Sequence, residues 1–357
     1  MQITSIISGT GSYIPTVVKD NSDFLQNTFY DEQKKLLPQG NDEIIRKFYE
    51  ITGIESRRYA SEDMVNSDMG TIAAQRALED AGIDGEEIDQ IIVAHNFGDV
   101  SIHNQQSNIL PSISARIKHN LNIQNPSCVA YDIIFGCPGW IQGIIQADAF
   151  IKSGQAKNCL IIGTETLSRV NDPHDRDSMI YSDGAGACVV SKKETDDDSG
   201  ILAYAAESYT YKEAYYLRYG ASYGPDFDEL LLNIKMDGRK IYEFALSHVP
   251  LAMKAALDKS GKTIDEVKKV LIHQANEKMD DAIIKRFFRL YGIRKTPENM
   301  VPMSIDELGN SSVATIPTLW DMIRKEHYKG HTIEKGDVLL FASVGSGMNI
   351  NAFVYKV

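Results

Sequence analysis

Apolar positions along this chain fall into a pattern that occurs twice. The segment ALEDAGIDGEEIDQIIVAHN (77–96) aligns without gaps on ALDKSGKTIDEVKKVLIHQA (256–275), at a constant offset of 179 residues. Leu78 falls on Leu257, Gly82 on Gly261, Ile88 on Val267, Ile91 on Val270 and Val93 on Ile272. In each copy a helical period ends at a glycine suited to a C-cap, a short acidic turn follows, and an apolar run then predicts a buried strand. Farther along, CLIIG (159–163) meets VLLFA (338–342) at the same offset. Between these points FGC (135–137) parallels LGN (308–310), each opening an apolar helical stretch, at an offset of 173, so loop lengths differ by six residues. The repeat predicts a duplicated α/β fold whose continuous apolar strands are covered on both faces. The acidic run ETDDDSG (194–200) divides it into two pseudo-symmetric halves, 1–194 and 200–357.

Bulk properties narrow the function classes. With 357 residues, 43% of them hydrophobic and 24% charged, the chain has the makeup of a globular protein with a sizeable core. The net charge of −12 argues against a general binder of nucleic acid or of anionic membranes. The apolar runs are too short to span a bilayer. The N-terminus MQITSIISGTGSYIP lacks the pattern of a signal peptide, so a cytoplasmic protein is expected. Cys128, Cys137, Cys159 and Cys188 match no zinc or redox spacing, and no structural disulfide is expected. Cys159 and Cys188 lie in apolar strand-like runs and read as small buried residues. His95 and His103 are the nearest approach to a metal pair, and no metal site is expected.

A duplicated fold brings equivalent positions of its halves together about a pseudo-dyad. Cys137 and Asn310 are such equivalents, and His273 closes a repeat strand at its carboxyl end, where α/β proteins place their sites. Pro138 reads as the first helical residue, which puts Cys137 at the N-cap. There the helix dipole is expected to favour a thiolate and lower the thiol pKa. Such a cysteine can take an acyl group from a thioester. His273 and Asn310 can donate hydrogen bonds to the enolate left when a malonyl thioester loses carbon dioxide. A second oxyanion hole can be built from the Cys137 amide and the stretch containing Gly345, Ser346 and Gly347, where glycine permits close backbone approach.

These residues sit in a set of motifs spread over nearly the whole chain: SGTGSYIP (8–15), ITGIESR (51–57), FGCPGW (135–140), DRDSMIYSDGAGA (175–187), MDGRKIYEFA (236–245), HQAN (273–276) and LGNSSVATIP (308–317). Together they resemble the β-ketoacyl-acyl-carrier-protein synthase III family of the thiolase-fold superfamily. The resemblance implies a layered α-β-α-β-α fold and a catalytic triad of Cys137, His273 and Asn310. It implies decarboxylative condensation of an acyl thioester with malonyl-acyl-carrier protein, in fatty acid or polyketide biosynthesis. The thioesters of coenzyme A or carrier protein are then substrates, and no cofactor is implied. A homodimer is implied as well.

The chain departs from the family pattern at several positions. Lys47 and Ile51 stand where the family has the tryptophan and arginine that clamp the coenzyme A adenine. The glycine-rich motif reads VGSGMNIN. Leu110 replaces the pocket phenylalanine, and Trp140 replaces a phenylalanine in the cysteine motif. Leu110 and Trp140 are therefore expected in a different acyl pocket. The tyrosine-rich segment 204–223 reads either as a cap over the substrate channel or as a surface segment using tyrosine for packing. Lys278, Lys285 and Arg289 share one helical face, with Arg286 beside them. Family members dock acidic carrier proteins in this region, so this face is the expected docking stripe, the alternative being an ordinary solvated face. Two other functions stay open: acyl transfer by the same cysteine without decarboxylation, and a non-catalytic partner subunit.

Overall fold

The computed structural model describes residues 2–228 and 230–357. In chain order the elements used below are β1 (Gln2–Tyr13), α1 (Asn41–Thr52), α2 (Asn66–Ala81), β2 (Gln90–Ala94), β3 (Val129–Ile133), α3 (Gly139–Lys152), β4 (Asn158–Thr166) and β5 (Asp183–Thr195). They continue with β6 (Gly200–Ser208), β7 (Leu217–Ala221), β8 (Leu232–Met236), α4 (Gly238–Ser260), β9 (Val267–Ile272), α5 (Glu277–Arg289), α6 (Thr315–Glu326), β10 (Val338–Gly345) and β11 (Asn349–Lys356).

Two mixed sheets result. The first has strand order β1-β5-β4-β2-β3, the second β6-β11-β10-β9. In each, the repeat strands pair in parallel: β2 with β4, and β9 with β10. The glycine caps expected from sequence are present. Gly82 and Gly261 end α2 and α4 in the left-handed conformation, with φ of 66° and 71°. The turns that follow, Gly85–Glu87 and Ile264–Glu266, are 3-10 segments capped by Asp84 and Thr263.

The layers follow from which helix faces are apolar. Helix α2 covers the outer face of the first sheet. Helices α4 and α5 cover the outer face of the second. Helices α3 and α6 lie between the sheets, packed against strands of both. Helix α3 reads IIQADAFI with few polar positions because most of it is enclosed: nine of its fourteen residues are buried, and only Ala149 and Lys152 in its last turn are exposed. The order is therefore α-β-α-β-α. Among the described residues no helix is long and apolar enough to cross a membrane.

Trp140 belongs to this central layer. It is 1% exposed, with its ring centroid 6.4 Å from those of Phe341 and Phe353. The expectation that it lines an acyl pocket is wrong. Three residues after the cysteine, α3 has turned its side chains toward the second sheet. Leu110 is also misplaced by that expectation within one chain, since it is 88% exposed on the loop before Ile113–Asn120.

Candidate active site

The central helices α3 and α6 point their N-terminal ends at one region, and the loops entering them carry the chemistry. The FGC turn is made possible by Gly136, whose φ is +68°. A Cβ on Gly136 would lie 2.6 Å from the Ser346 amide nitrogen. A Cβ on Gly345 would lie 2.4 Å from the Cys137 amide nitrogen. The two turns thus touch backbone to backbone, which only glycine permits. This brings Cys137 and the Val344-Gly345-Ser346 stretch together, as the sequence suggested.

Asn310 is positioned from both sides. Its amide donates to the Ile180 carbonyl (2.9 Å), and its carbonyl accepts from the Ser182 amide (2.9 Å). Its side-chain Oδ1 accepts from the Ser312 amide (2.8 Å). That bond occupies the carbonyl end and leaves the Nδ2 hydrogens as the free donors. His273 follows β9, with its amide donating to the Ala342 carbonyl (2.8 Å). The next residue, Gln274, is fully buried and ties the two loops together. Its Nε2 donates to the Pro302 carbonyl (2.9 Å), and its Oε1 accepts from the amides of Ser304 (2.8 Å) and Ile305 (3.0 Å). Gln274 therefore fixes the distance between the histidine loop and the chain leading to Asn310.

Cys137, His273 and Asn310 line one cavity of about 300 Å³ with a largely apolar wall, including Phe97, Leu167, Ile234 and Met236. Gly345 and Ser346 border it, and Gly347, with φ of 72°, completes their turn. Of the tyrosine-rich segment, the β7–β8 hairpin supplies Leu217, Arg218 and Tyr219 to the same wall. Tyr219 packs on Phe97 with the rings tilted by 30° and their centroids 4.9 Å apart. Tyr209 and Tyr216 instead pack on the second half's core, and Tyr211 is exposed. Both readings of that segment hold, for different residues.

A second cavity of about 410 Å³ adjoins the first and shares Ile180, Met236, Ile241, Ala275 and Met279 with it. Lys47 and Ile51 of α1 lie on this outer chamber, as do Arg176 and Asn276. Asn276 also caps α5, its side chain accepting from the Met279 amide (3.0 Å). The α5 face expected to be cationic is exposed at Lys278, Lys285, Arg286 and Arg289. It is partly neutralised: Lys285 pairs with Asp281 one turn before it, and Arg286 donates to the Leu246 carbonyl (3.1 Å).

The electrostatics depart from expectation at Cys137. Pro138 is itself the N-cap of α3, so Cys137 stands one residue farther from the helix than predicted. Burial pushes the Cys137 thiol up to about 11; the hydrogen bond from Ser312 opposes this, and the neighbouring Glu165 adds to it. The expected lowering by the helix dipole does not prevail, because taking a charge out of water outweighs a partial charge two residues away. Burial likewise drops His273 to about 4, so its ring is neutral. No protein group pairs with His273 Nδ1 among the described residues, which is unlike a carboxylate-oriented catalytic base. Glu165, at the carboxyl end of β4, is held up to about 8 by burial.

Three residues that sequence reasoning left without a role stand next to the sulfur: Asn96, Glu165 and Ser312. Ser312 Oγ donates to Cys137 Sγ (3.3 Å) and accepts from Asn96 Nδ2 (3.2 Å). Asn96 also donates to Glu165 and accepts from the Gly136 amide (3.1 Å). The available signal was positional, since Asn96 and Glu165 are polar residues just beyond or at the end of apolar parallel strands. His95, weighed as a metal ligand, instead pairs with Asp132 (2.9 Å). No group of three or more metal-ligating side chains occurs among the described residues.

A duplicated five-layer fold with cysteine, histidine and asparagine converging from both halves defines the thiolase-fold condensing class. Residues 131–210 match 3-oxoacyl-[acyl-carrier-protein (ACP)] synthase III, and residues 257–357 match the C-terminal region of the same enzyme. The β-ketoacyl-[acyl-carrier-protein] synthase III of Paracoccus denitrificans is 33% identical over 358 residues, covering 99% of each chain. That of Caldanaerobacter subterraneus is 32% identical over 361 residues, covering 99% of this chain and 98% of the other. The crystal structure of the Aquifex aeolicus 3-oxoacyl-[acyl-carrier-protein] synthase III superposes with a TM-score of 0.79 at 30% identity, covering 99% and 100%. The chain belongs to the 3-oxoacyl-[acyl-carrier-protein] synthase III family.

Proposed function

We propose that this protein condenses an acyl thioester with a malonyl thioester borne on acyl carrier protein, through an acyl-Cys137 intermediate. The observation that carries this reading is the convergence of Cys137, His273 and Asn310 on one apolar cavity. The Cys137 sulfur attacks the acyl carbonyl carbon, the carrier thiolate leaves with a proton, and the acyl group stays on the enzyme. The developing oxyanion is met by backbone amides at Cys137 and the Gly345 turn. The malonyl group then occupies the site and its carboxylate departs as carbon dioxide. The electron pair of that bond becomes an enolate, whose oxygen accepts from the neutral His273 ring and Asn310 Nδ2. The enolate carbon attacks the acyl carbonyl, the C–S bond to Cys137 breaks, and a 3-oxoacyl product remains on the carrier.

An apolar wall suits a hydrocarbon acyl chain, and the outer chamber suits the slender arm that delivers it. The thioesters enter as substrates, and the reaction needs no bound cofactor. Exposed Lys278, Lys285, Arg286 and Arg289 beside the outer chamber favour docking of an acidic carrier. Strand β3 at the edge of its sheet, with Ile109, Leu110, Val129 and Ile134 exposed nearby, favours a homodimer formed on that face.

Intact-protein mass spectrometry after incubation with a panel of acyl thioesters tests the first step. One acyl mass on wild type and none on Cys137→Ser is expected. His273→Ala and Asn310→Ala are expected to load the acyl group and to lose malonyl-dependent release of carbon dioxide. Condensation by His273→Ala at the wild-type rate would refute the enolate role.

A further inference from the structure

The reacting sulfur has a neighbour that the acyl-transfer chemistry above does not use. We infer that Ser312 is a further catalytic residue, the side-chain donor that stabilises the Cys137 sulfur as it becomes a thiolate for acylation, with Asn96 and Glu165 as the positioning residues that aim it. This rests on Cys137 being the nucleophile.

The direction of each bond is fixed by inventory. A serine hydroxyl has one hydrogen. Because Ser312 Oγ accepts from Asn96 Nδ2 (3.2 Å), its hydrogen is left for Cys137 Sγ at 3.3 Å. Asn96 can make these bonds in only one orientation. Its Oδ1 faces the Gly136 amide (3.1 Å), and rotating the carboxamide by half a turn would set two N–H groups against each other there. Its second amide hydrogen goes to Glu165 Oε1. Glu165 is fully buried and accepts through that oxygen whether or not the carboxyl is ionised. The line Glu165 ← Asn96 → Ser312 → Cys137 therefore has one polarity, ending in a donor aimed at sulfur.

The backbone agrees. Ser312 has φ of +53°, a conformation that costs a side-chain-bearing residue energy. The Ser312 amide is held by Asn310 Oδ1 (2.8 Å), the bond that also frees Asn310 Nδ2. One strained residue thus serves both carbonyl chemistries: its backbone turns Asn310 toward the enolate, and its side chain addresses the nucleophile. A buried thiolate needs such a donor, because desolvation disfavours its charge.

The test uses the full-length enzyme. Alkylation of Cys137 by iodoacetamide is followed by mass spectrometry of its peptide, across pH, in wild type, Ser312→Gly and Ser312→Ala. Glycine removes the hydroxyl, keeps the amide bond to Asn310 and relieves the positive φ. At each pH on the rising limb, both variants are expected to react roughly tenfold more slowly, the effect of losing one bond to an ionised group. Mere loosening of the site would instead expose the thiol and speed the reaction. Glu165→Leu is expected to slow it as well, and Glu165→Gln, which keeps an acceptor for Asn96, to restore the rate. Alkylation of Ser312→Gly at or above the wild-type rate overturns the inference, as does equal behaviour of the two Glu165 variants. Failure of any acyl thioester to load Cys137 would defeat the nucleophile assignment itself. Normal loading with an unchanged alkylation profile would defeat only the role of Ser312.

Discussion

Gly345→Ala isolates the close contact proposed to form the oxyanion hole. Gly345 has φ of −165°, extended backbone that alanine adopts freely, so the substitution acts through space alone. Its Cβ would stand 2.4 Å from the Cys137 nitrogen, 2.8 Å from Pro138 Cδ and 3.0 Å from Cys137 Cβ. Ordinary contact begins at 3.4 Å, so the two turns must separate by about 1 Å (3.4 − 2.4). A hydrogen bond to a developing oxyanion does not survive that displacement. Loss of one such donor costs about 10²- to 10³-fold in rate, and overpacking costs about 1–3 kcal/mol of stability. The assay is the single-turnover rate of acyl-Cys137 formation, with a thermal melt to confirm folding. Gly40→Ala, where a Cβ meets nothing within 4 Å, is the control and is expected to behave as wild type. A folded Gly345→Ala enzyme that acylates at the wild-type rate would refute the placement of the Cys137 amide in the oxyanion hole.

Because burial raises the Cys137 thiol to about 11, its alkylation rate should climb about tenfold per pH unit from pH 7 to 10, and a plateau near pH 8 would contradict this. The Glu165 carboxyl is raised from 4.5 to about 8, so the stability of burying it protonated is full below pH 4.5 and is lost as pH rises through 8. The melting temperature of Glu165→Gln should therefore gain on wild type between pH 5 and 8.5, and a constant difference would argue against a buried neutral carboxyl. Trp140→Ala should cost about 3–5 kcal/mol in denaturant unfolding, since it empties the central layer; a small loss would mean that Trp140 faces the pocket after all. Charge reversal at Lys285 and Arg289 should raise the apparent KM for a carrier-borne thioester and spare a small thioester analogue, and equal effects on both would remove the docking role.

Much of the architecture was legible in the chain because a duplicated fold writes its pattern twice. Two glycine-capped helices, two acidic turns and two apolar strands at one offset defined the fold class, and the parallel between FGC and LGN, six residues off that offset, paired Cys137 with Asn310. Local signals determined what depends on neighbours in sequence: the caps at Gly82 and Gly261, and the glycines of the FGC and VGSG turns. Only the tertiary structure decided what depends on direction. Trp140 lies three residues from Cys137 yet points into the central layer, because the first turn of α3 packs against Phe341 and Phe353 of the second sheet. The thiol pKa was misjudged from the helix start alone, because desolvation is set by everything packed around the sulfur and not by the residue before a helix. Asn96, Glu165 and Ser312 come from three distant stretches of sequence, and no spacing could show that they form one directed line ending at Cys137.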